Sequence, residues 1–154
     1  MSDVIVYTDG GSRGNPGPAA MGVVVEYNGK RREYGEAIGV ATNNVAEYRA
    51  VLYALKKVKL LLGKKGAGEC TVEVRADSDL VVRHMNREFK IKNDGLKEYF
   101  IELWNLTQDF KSVRFVHVRR EENGSADRLV NRALDSGRTS SRRRQVPQRI
   151  DKLL

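Results

Sequence analysis

The spacing of apolar residues changes along this chain, and each change marks an element. Val4-Ile5-Val6-Tyr7-Thr8 is a short β-branched and aromatic run, the pattern of a buried strand. It stops at Asp9-Gly10-Gly11. The stretch from Gly10 to Pro18, rich in glycine and holding Pro16 and Pro18, reads as a loop. Met21 to Val25 is a second strand. Asn28-Gly29 is a two-residue hairpin signal, and Arg31 to Gly39 reads as the returning strand. Three antiparallel strands therefore open the chain.

The period then shifts to that of a helix. Val45, Tyr48, Leu52, Leu55, Val58 and Leu62 recur at spacings of three and four. Asn43 or Asn44 can cap this helix, and Gly63 stops it. Thr71 to Ala76 alternates as a strand. Ser78 to Asn86 suggests a short helix, and Lys90 to Gly95 is a polar turn. Leu96 to Phe110 is helical, with Tyr99, Phe100 and Trp104 placed on a core stripe. Val113 to Val118 is the last strand, and Asn123 to Leu134 the last helix. The order β-β-β-α-β-α-α-β-α predicts an α/β fold: a mixed sheet with helices packed on it.

After Asp135 the apolar period is lost, and Ser136-Gly137-Arg138 leads into Arg142-Arg143-Arg144. The expected division is one domain over residues 1–136 and a basic tail over 137–154. The net charge is +8, and residues 137–154 alone carry six basic side chains against one acid, Asp151. The body is only mildly basic, so a polyanionic partner is expected to meet the tail arginines as well as the domain. A chain of 154 residues with 40% hydrophobic content can bury one core without disulfides. The single cysteine, Cys70, excludes an internal disulfide or a multi-cysteine zinc site and is expected to be buried in a strand. No signal segment or membrane span is visible, so the expectation is a soluble, cytoplasmic monomer that does not bind membranes.

The acids fall at informative places. Asp9 ends the first strand, Asp77 ends the fourth, Glu47 lies in the first turn of the first helix, and Asp127 lies one turn into the last. If the first and fourth strands are neighbours, their ends open into one crevice. Converging carboxylates repel one another unless a cation neutralises them. Magnesium prefers such oxygen ligands, and a pair of such ions can drive phosphodiester hydrolysis. Each acid alone also has an ordinary structural reading, as a turn residue or a helix-dipole partner.

Four stretches resemble the signatures of type 1 ribonucleases H. They are Tyr7-Thr8-Asp9-Gly10-Gly11-Ser12-Arg13-Gly14-Asn15-Pro16-Gly17, Thr42-Asn43-Asn44-Val45-Ala46-Glu47, Ala76-Asp77-Ser78, and His117 to Asp127. They occur in family order and span about residues 4–135. The resemblance implies a five-stranded mixed sheet with helices on both faces, and hydrolysis of the RNA strand of an RNA–DNA hybrid to 5′-phosphate and 3′-hydroxyl ends. It implies two magnesium ions, with manganese as a substitute, held by Asp9, Glu47, Asp77 and Asp127, Asp9 being shared between them. It also implies a substrate groove lined by Gly10, Gly11, Ser12, Arg13, Gly14, Asn15, Asn43 and Asn44, with Thr42 near a DNA phosphate.

The chain departs from the family in two places. Many members carry a histidine in the loop before the last acid. Here that loop is Arg119-Arg120-Glu121-Glu122, and Arg120 is expected to assist catalysis instead. Some members insert a basic protrusion after the second helix. The corresponding stretch, Arg87 to Gly95, is short, and Arg142, Arg143 and Arg144 are expected to compensate, with double-stranded RNA as an additional substrate. The alternatives are a non-catalytic module binding hybrid or double-stranded RNA, and a resolvase-like nuclease of the same superfamily. Loss of an acid would favour the first, and none is lost. The Thr42-Asn43-Asn44 run argues against the second.

Overall fold

The structure is a computed structural model and describes residues 2–139. In chain order the elements are β1 (Val4–Ser12), β2 (Gly17–Tyr27), β3 (Lys30–Ala41), α1 (Asn43–Gly68), β4 (Thr71–Ala76), α2 (Asp79–Met85), α3 (Asp94–Thr107), β5 (Ser112–His117), a 3₁₀ turn at Arg120–Asn123, and α4 (Gly124–Thr139). The strands form one five-stranded sheet in the order β3-β2-β1-β4-β5. β1 runs antiparallel to β2 and parallel to β4, and β5 is parallel to β4. This is the mixed α/β sheet expected, with β1 at its centre.

The first two strands outrun their apolar residues. Gly10, Gly11 and Ser12 pair with Met21, Ala20 and Ala19, so most of the expected loop is strand. Backbone pairing needs no apolar side chain, and the polar residues therefore ended the expected strand too early. The turn that remains is closed by the Arg13 N–H donating to the Pro18 carbonyl at 2.8 Å.

Three glycines set how the helices sit on the sheet. A β-carbon on Gly10 would lie 2.3 Å from the Ala46 carbonyl carbon in α1. The partner of Gly10 is Met21, and the next residue, Gly22, faces the other way. A β-carbon on Gly22 would lie 2.3 Å from the Ala126 carbonyl oxygen in α4, and one on Gly35 would lie 2.9 Å from that of Leu129. Helices α1 and α4 therefore pack on opposite faces, with their backbones against the strands where no side chain intervenes. The main core lies under α1 and α3 and includes Val6, Val23, Tyr48, Leu55, Val74 and Leu103. A smaller one under α4 holds Ala20, Val130 and Leu134. Cys70 is buried as expected, but it immediately precedes β4 rather than lying in a strand.

Other expectations need correction. The cap of α1 is Thr42, whose Oγ1 accepts from the Val45 N–H at 3.2 Å. Asn43 cannot serve, because its side chain is committed to Ser12. Gly63, at φ 77° and ψ 168°, does break the helix, but it resumes and runs to Gly68. On α3 the buried stripe is narrow: Leu96 and Leu103 are inside, whereas Trp104 is 50% exposed and is not a core residue. Helix α4 runs past the expected domain boundary at residue 136 to Thr139. Among the described residues no helix is long and apolar enough to cross a membrane.

Candidate active site

The site forms where β1 extends past the end of β4. Their last parallel pair is Thr8 with Ala76. Asp9 stays paired with Gly22 on the β2 side, while Asp77 follows directly on Ala76 as the chain leaves the sheet. Asp9 and Asp77 thus stand next to each other at the carboxyl ends of adjacent parallel strands, where an α/β sheet opens into a crevice. Glu47 is brought in by the start of α1. The bare Gly10 lets that helix rest directly on β1, and the Gly10 N–H donates to Glu47 Oε1.

One carboxylate oxygen from each of Asp9, Glu47 and Asp77 lies within 4.8 Å of the others. Asp9 is 8% exposed and Glu47 is 9% exposed, so this is a half-sunken cluster. Asp127 enters from the first turn of α4. It lies outside the tightest group, yet its charge adds to the field felt by Asp9. Asn131 Nδ2 donates to the Asp127 backbone oxygen at 3.1 Å. Among the described residues, no salt bridge reaches any of the four acids.

The acids are therefore electrostatically frustrated. Burial, followed by the charges of Glu47, Asp77 and Asp127, pushes the Asp9 carboxyl far above the ordinary range. Burial also raises Glu47, and the charge of Asp77 adds to it. The hydrogen bonds that Glu47 makes to the Gly10 backbone, Asp9 and Ser78 partly oppose that rise. An all-oxygen donor set with no cationic partner among the described residues fits a hard divalent cation, whose charge would relieve this repulsion. Asp9, Glu47 and Asp77 would hold it, with Asp127 at the margin.

The residues expected to line the groove are joined to one another. Asn43 Oδ1 accepts from the Ser12 N–H at 2.9 Å, and Asn15 Oδ1 accepts from the Asn43 N–H at 3.0 Å. These bonds lock the β1–β2 turn to the start of α1. Arg13 pairs with Asp135 of α4 at 2.8 Å. Thr42 caps α1, and Asn44 is exposed at its first turn. Gly14 takes φ 104° in the turn. The bare side of Gly10 is filled by α1, while Gly11 is partly exposed with Val130 Cγ1 at 3.6 Å from its β-carbon position. Arg120 is exposed in the 3₁₀ turn. Arg142, Arg143 and Arg144 lie outside the described residues.

Sequence alone did not single out Ser78 or Asn123 for a role of their own. Ser78 caps α2 and hydrogen-bonds Glu47. Asn123 is buried, and its Nδ2 donates to the Thr8 carbonyl oxygen at 2.8 Å. The available signal was position: Ser78 follows Asp77, and Asn123 precedes Asp127 by one helical turn.

The profile of the Reverse transcriptase-like family matches residues 7–133. A ribonuclease H of a Sulfurovum species is 36% identical over 116 residues, which is 74% of this chain and 74% of that protein. LC11-RNase H1, solved in complex with an RNA/DNA hybrid, superposes with a TM-score of 0.83 at 43% identity, covering 88% of this chain and 99% of that one. The chain belongs to the type 1 ribonuclease H family. The ribonuclease H fold accounts for the whole sheet and for the meeting of Asp9, Glu47 and Asp77 at one end of it. A longer relative is the bifunctional protein Rv2228c of Mycobacterium tuberculosis, 39% identical over 150 residues. That match takes in 96% of this chain but 40% of the mycobacterial protein, so the chain spans less than half of that relative's length.

Proposed function

We propose that this protein is an endonuclease that hydrolyses the RNA strand of RNA–DNA hybrids, leaving 5′-phosphate and 3′-hydroxyl ends. The observation that carries this reading is the convergence of Asp9, Glu47 and Asp77 oxygens within 4.8 Å, with no salt bridge to any of them among the described residues. The four acids would hold two magnesium ions, Asp9 being shared between them, and manganese would substitute. Such ions, when bound, supply an activated water and charge stabilisation for the leaving 3′ oxygen.

The chain's own contribution is positioning. The Ser12–Asn43–Asn15 bonds hold the rim of the crevice in one shape before substrate arrives. That rim can approach an RNA sugar closely at Gly11, and the 2′-hydroxyl in the wide minor groove of the hybrid is the mark by which RNA is told from DNA. Asn44 is exposed beside it and can offer its amide to a base edge or sugar. Arg120 lies in the loop before Asp127, in which many members of the family carry a histidine, and its fixed charge would assist departure of the leaving oxygen. Arg142, Arg143 and Arg144 would contact the backbone of the hybrid, and double-stranded RNA would be a weaker substrate.

The test is cleavage of end-labelled RNA–DNA hybrid, double-stranded RNA and double-stranded DNA by wild type and Arg120→Ala. Magnesium, manganese and chelator are compared. Hybrid cutting that needs metal is expected, with slower double-stranded RNA cutting, no DNA cutting, and a turnover loss of roughly tenfold or more in Arg120→Ala. Tight hybrid binding without cutting would overturn the enzymatic reading in favour of a binding module. Undiminished turnover in Arg120→Ala would remove that residue from the mechanism.

A further inference from the structure

Two elements must be held in register for four carboxylates to act together: β1, which carries Asp9, and α4, which carries Asp127. They lie in different parts of the chain. Gly22 and Gly35 determine how closely α4 approaches the sheet, because its backbone rests on them. Apolar contacts of Ala20, Val130 and Leu134 hold it there. Neither kind of contact is directional, and the Arg13–Asp135 ion pair at 2.8 Å anchors α4 about two turns beyond Asp127, away from the acids.

A second directional bond sits next to the site. Asn123 is 1% exposed at the end of the 3₁₀ turn that leads into α4. Its Nδ2 donates to the Thr8 carbonyl oxygen at 2.8 Å across 115 residues of sequence. Thr8 immediately precedes Asp9, and Asn123 stands one helical turn before Asp127. The 3₁₀ turn is itself stiffened by Glu122, whose Oε1 accepts from the Arg119 N–H at 2.9 Å. The other half of the Asn123 amide, Oδ1, is buried with no protein donor among the described residues. A buried acceptor without a partner is costly, so an apolar residue of similar shape would be the cheaper way to fill this space. What an apolar residue cannot supply is the bond to Thr8.

We propose that Asn123 is a positioning residue that sets the distance between Asp9 and Asp127, and hence the affinity of the four-acid centre for divalent metal. The inference rests on the metal-centre reading above. It differs from a plain stability role in what it predicts: loss of the bond should weaken metal binding even in protein that remains folded.

The experiment is direct titration of the full chain with Mn²⁺, following free ion by electron paramagnetic resonance, in parallel with thermal melting and hybrid-cleavage kinetics. The variants are Asn123→Ala, Asn123→Leu and Asn123→Gln, with Leu134→Ala as a control that loosens α4 away from the site. Asn123→Ala and Asn123→Leu are expected to weaken Mn²⁺ binding several-fold at a temperature where they are fully folded. The same loss should appear in the metal concentration needed for half-maximal cleavage, with KM for hybrid little changed. Asn123→Gln keeps the amide and should recover part of the affinity. Leu134→Ala should melt earlier yet bind Mn²⁺ as wild type does. Equal Mn²⁺ affinity in wild type and Asn123→Leu would overturn the proposal, as would a Leu134→Ala defect matching that of Asn123→Ala. If Asn123→Ala and Asn123→Leu do not fold, the Asn123→Gln titration decides alone: affinity equal to wild type, despite an amide displaced by one methylene, overturns it. Failure of the wild type itself to bind Mn²⁺ would sink the metal-centre reading instead, which keeps the two failures apart.

Discussion

At the scale of residues, the controlling fact is that Asp9 and Glu47 are acids held where acids are costly. Burial and neighbouring carboxylates raise both. A carboxyl with a raised folded-state pKa keeps its proton in the folded state after the unfolded chain has lost it. In chelator, the resulting stability is complete below the unfolded value of about 4 and is lost as pH rises through the raised values. The thermal midpoint in chelator should therefore fall between about pH 5 and about pH 8. Asp9→Asn removes the most strongly affected acid, so its midpoint should fall less over that range. At the alkaline end it should exceed wild type by a few degrees, equivalent to about 1–2 kcal/mol. Magnesium should restore the wild type and do little for the variant. Melting curves that show no pH dependence in chelator would mean that the cluster is not under this strain.

At the scale of elements, the site depends on helix backbones lying directly on strands. Gly10 is the key position, because any β-carbon there meets the backbone of Ala46 and Glu47, and backbone cannot swing aside. Gly10→Ala should cost about 1–3 kcal/mol by overpacking. It should also reduce cleavage far more than a similarly destabilising core change, because α1 must lift and take Glu47 with it. Near-normal turnover in Gly10→Ala, measured well below its melting temperature, would contradict this.

The same glycine shows what the sequence makes legible and what it does not. The Asp-Gly-Gly run flagged the site but suggested a loop open to substrate. Its first glycine is instead strand, and its bare side is filled by helix. The strands, their order along the chain and the places of the four acids follow from apolar period and from the four motifs. The lateral order β3-β2-β1-β4-β5 does not. It arises from long-range pairing, and so does the bond between Asn123 and Thr8. Trp104 was misplaced for a related reason: an apolar stripe on a helix does not reveal how wide the covering surface is, and α3 is covered over only a narrow strip.

At the scale of the whole molecule, charge is distributed in a way that separates chemistry from attraction. Asp9, Glu47 and Asp77 meet at one end of the sheet, while most of the sequence's net positive charge lies after residue 136. Helix α4 extends to Thr139 and its Asp135 is held by Arg13, so a truncation that probes the tail should be made after Thr139. That truncation should leave the fold intact and weaken hybrid binding. It should also make the plot of log affinity against log salt shallower, its slope falling by about one for each phosphate that the tail would have neutralised. An unchanged salt slope would show that the tail does not touch the hybrid's backbone.

Asp9→Asn tests most directly whether the four-acid centre cuts the RNA strand of a hybrid. The substitution keeps the shape of the side chain and its place on β1 while removing the charge shared by the whole cluster. End-labelled hybrid, saturating magnesium and single-turnover conditions give the rate of the chemical step itself. Metal-dependent cutting by the wild type is expected, with a loss of more than about a thousandfold in a variant that still folds and still binds hybrid. Cutting by Asp9→Asn within about tenfold of wild type would place the chemistry elsewhere than at these acids.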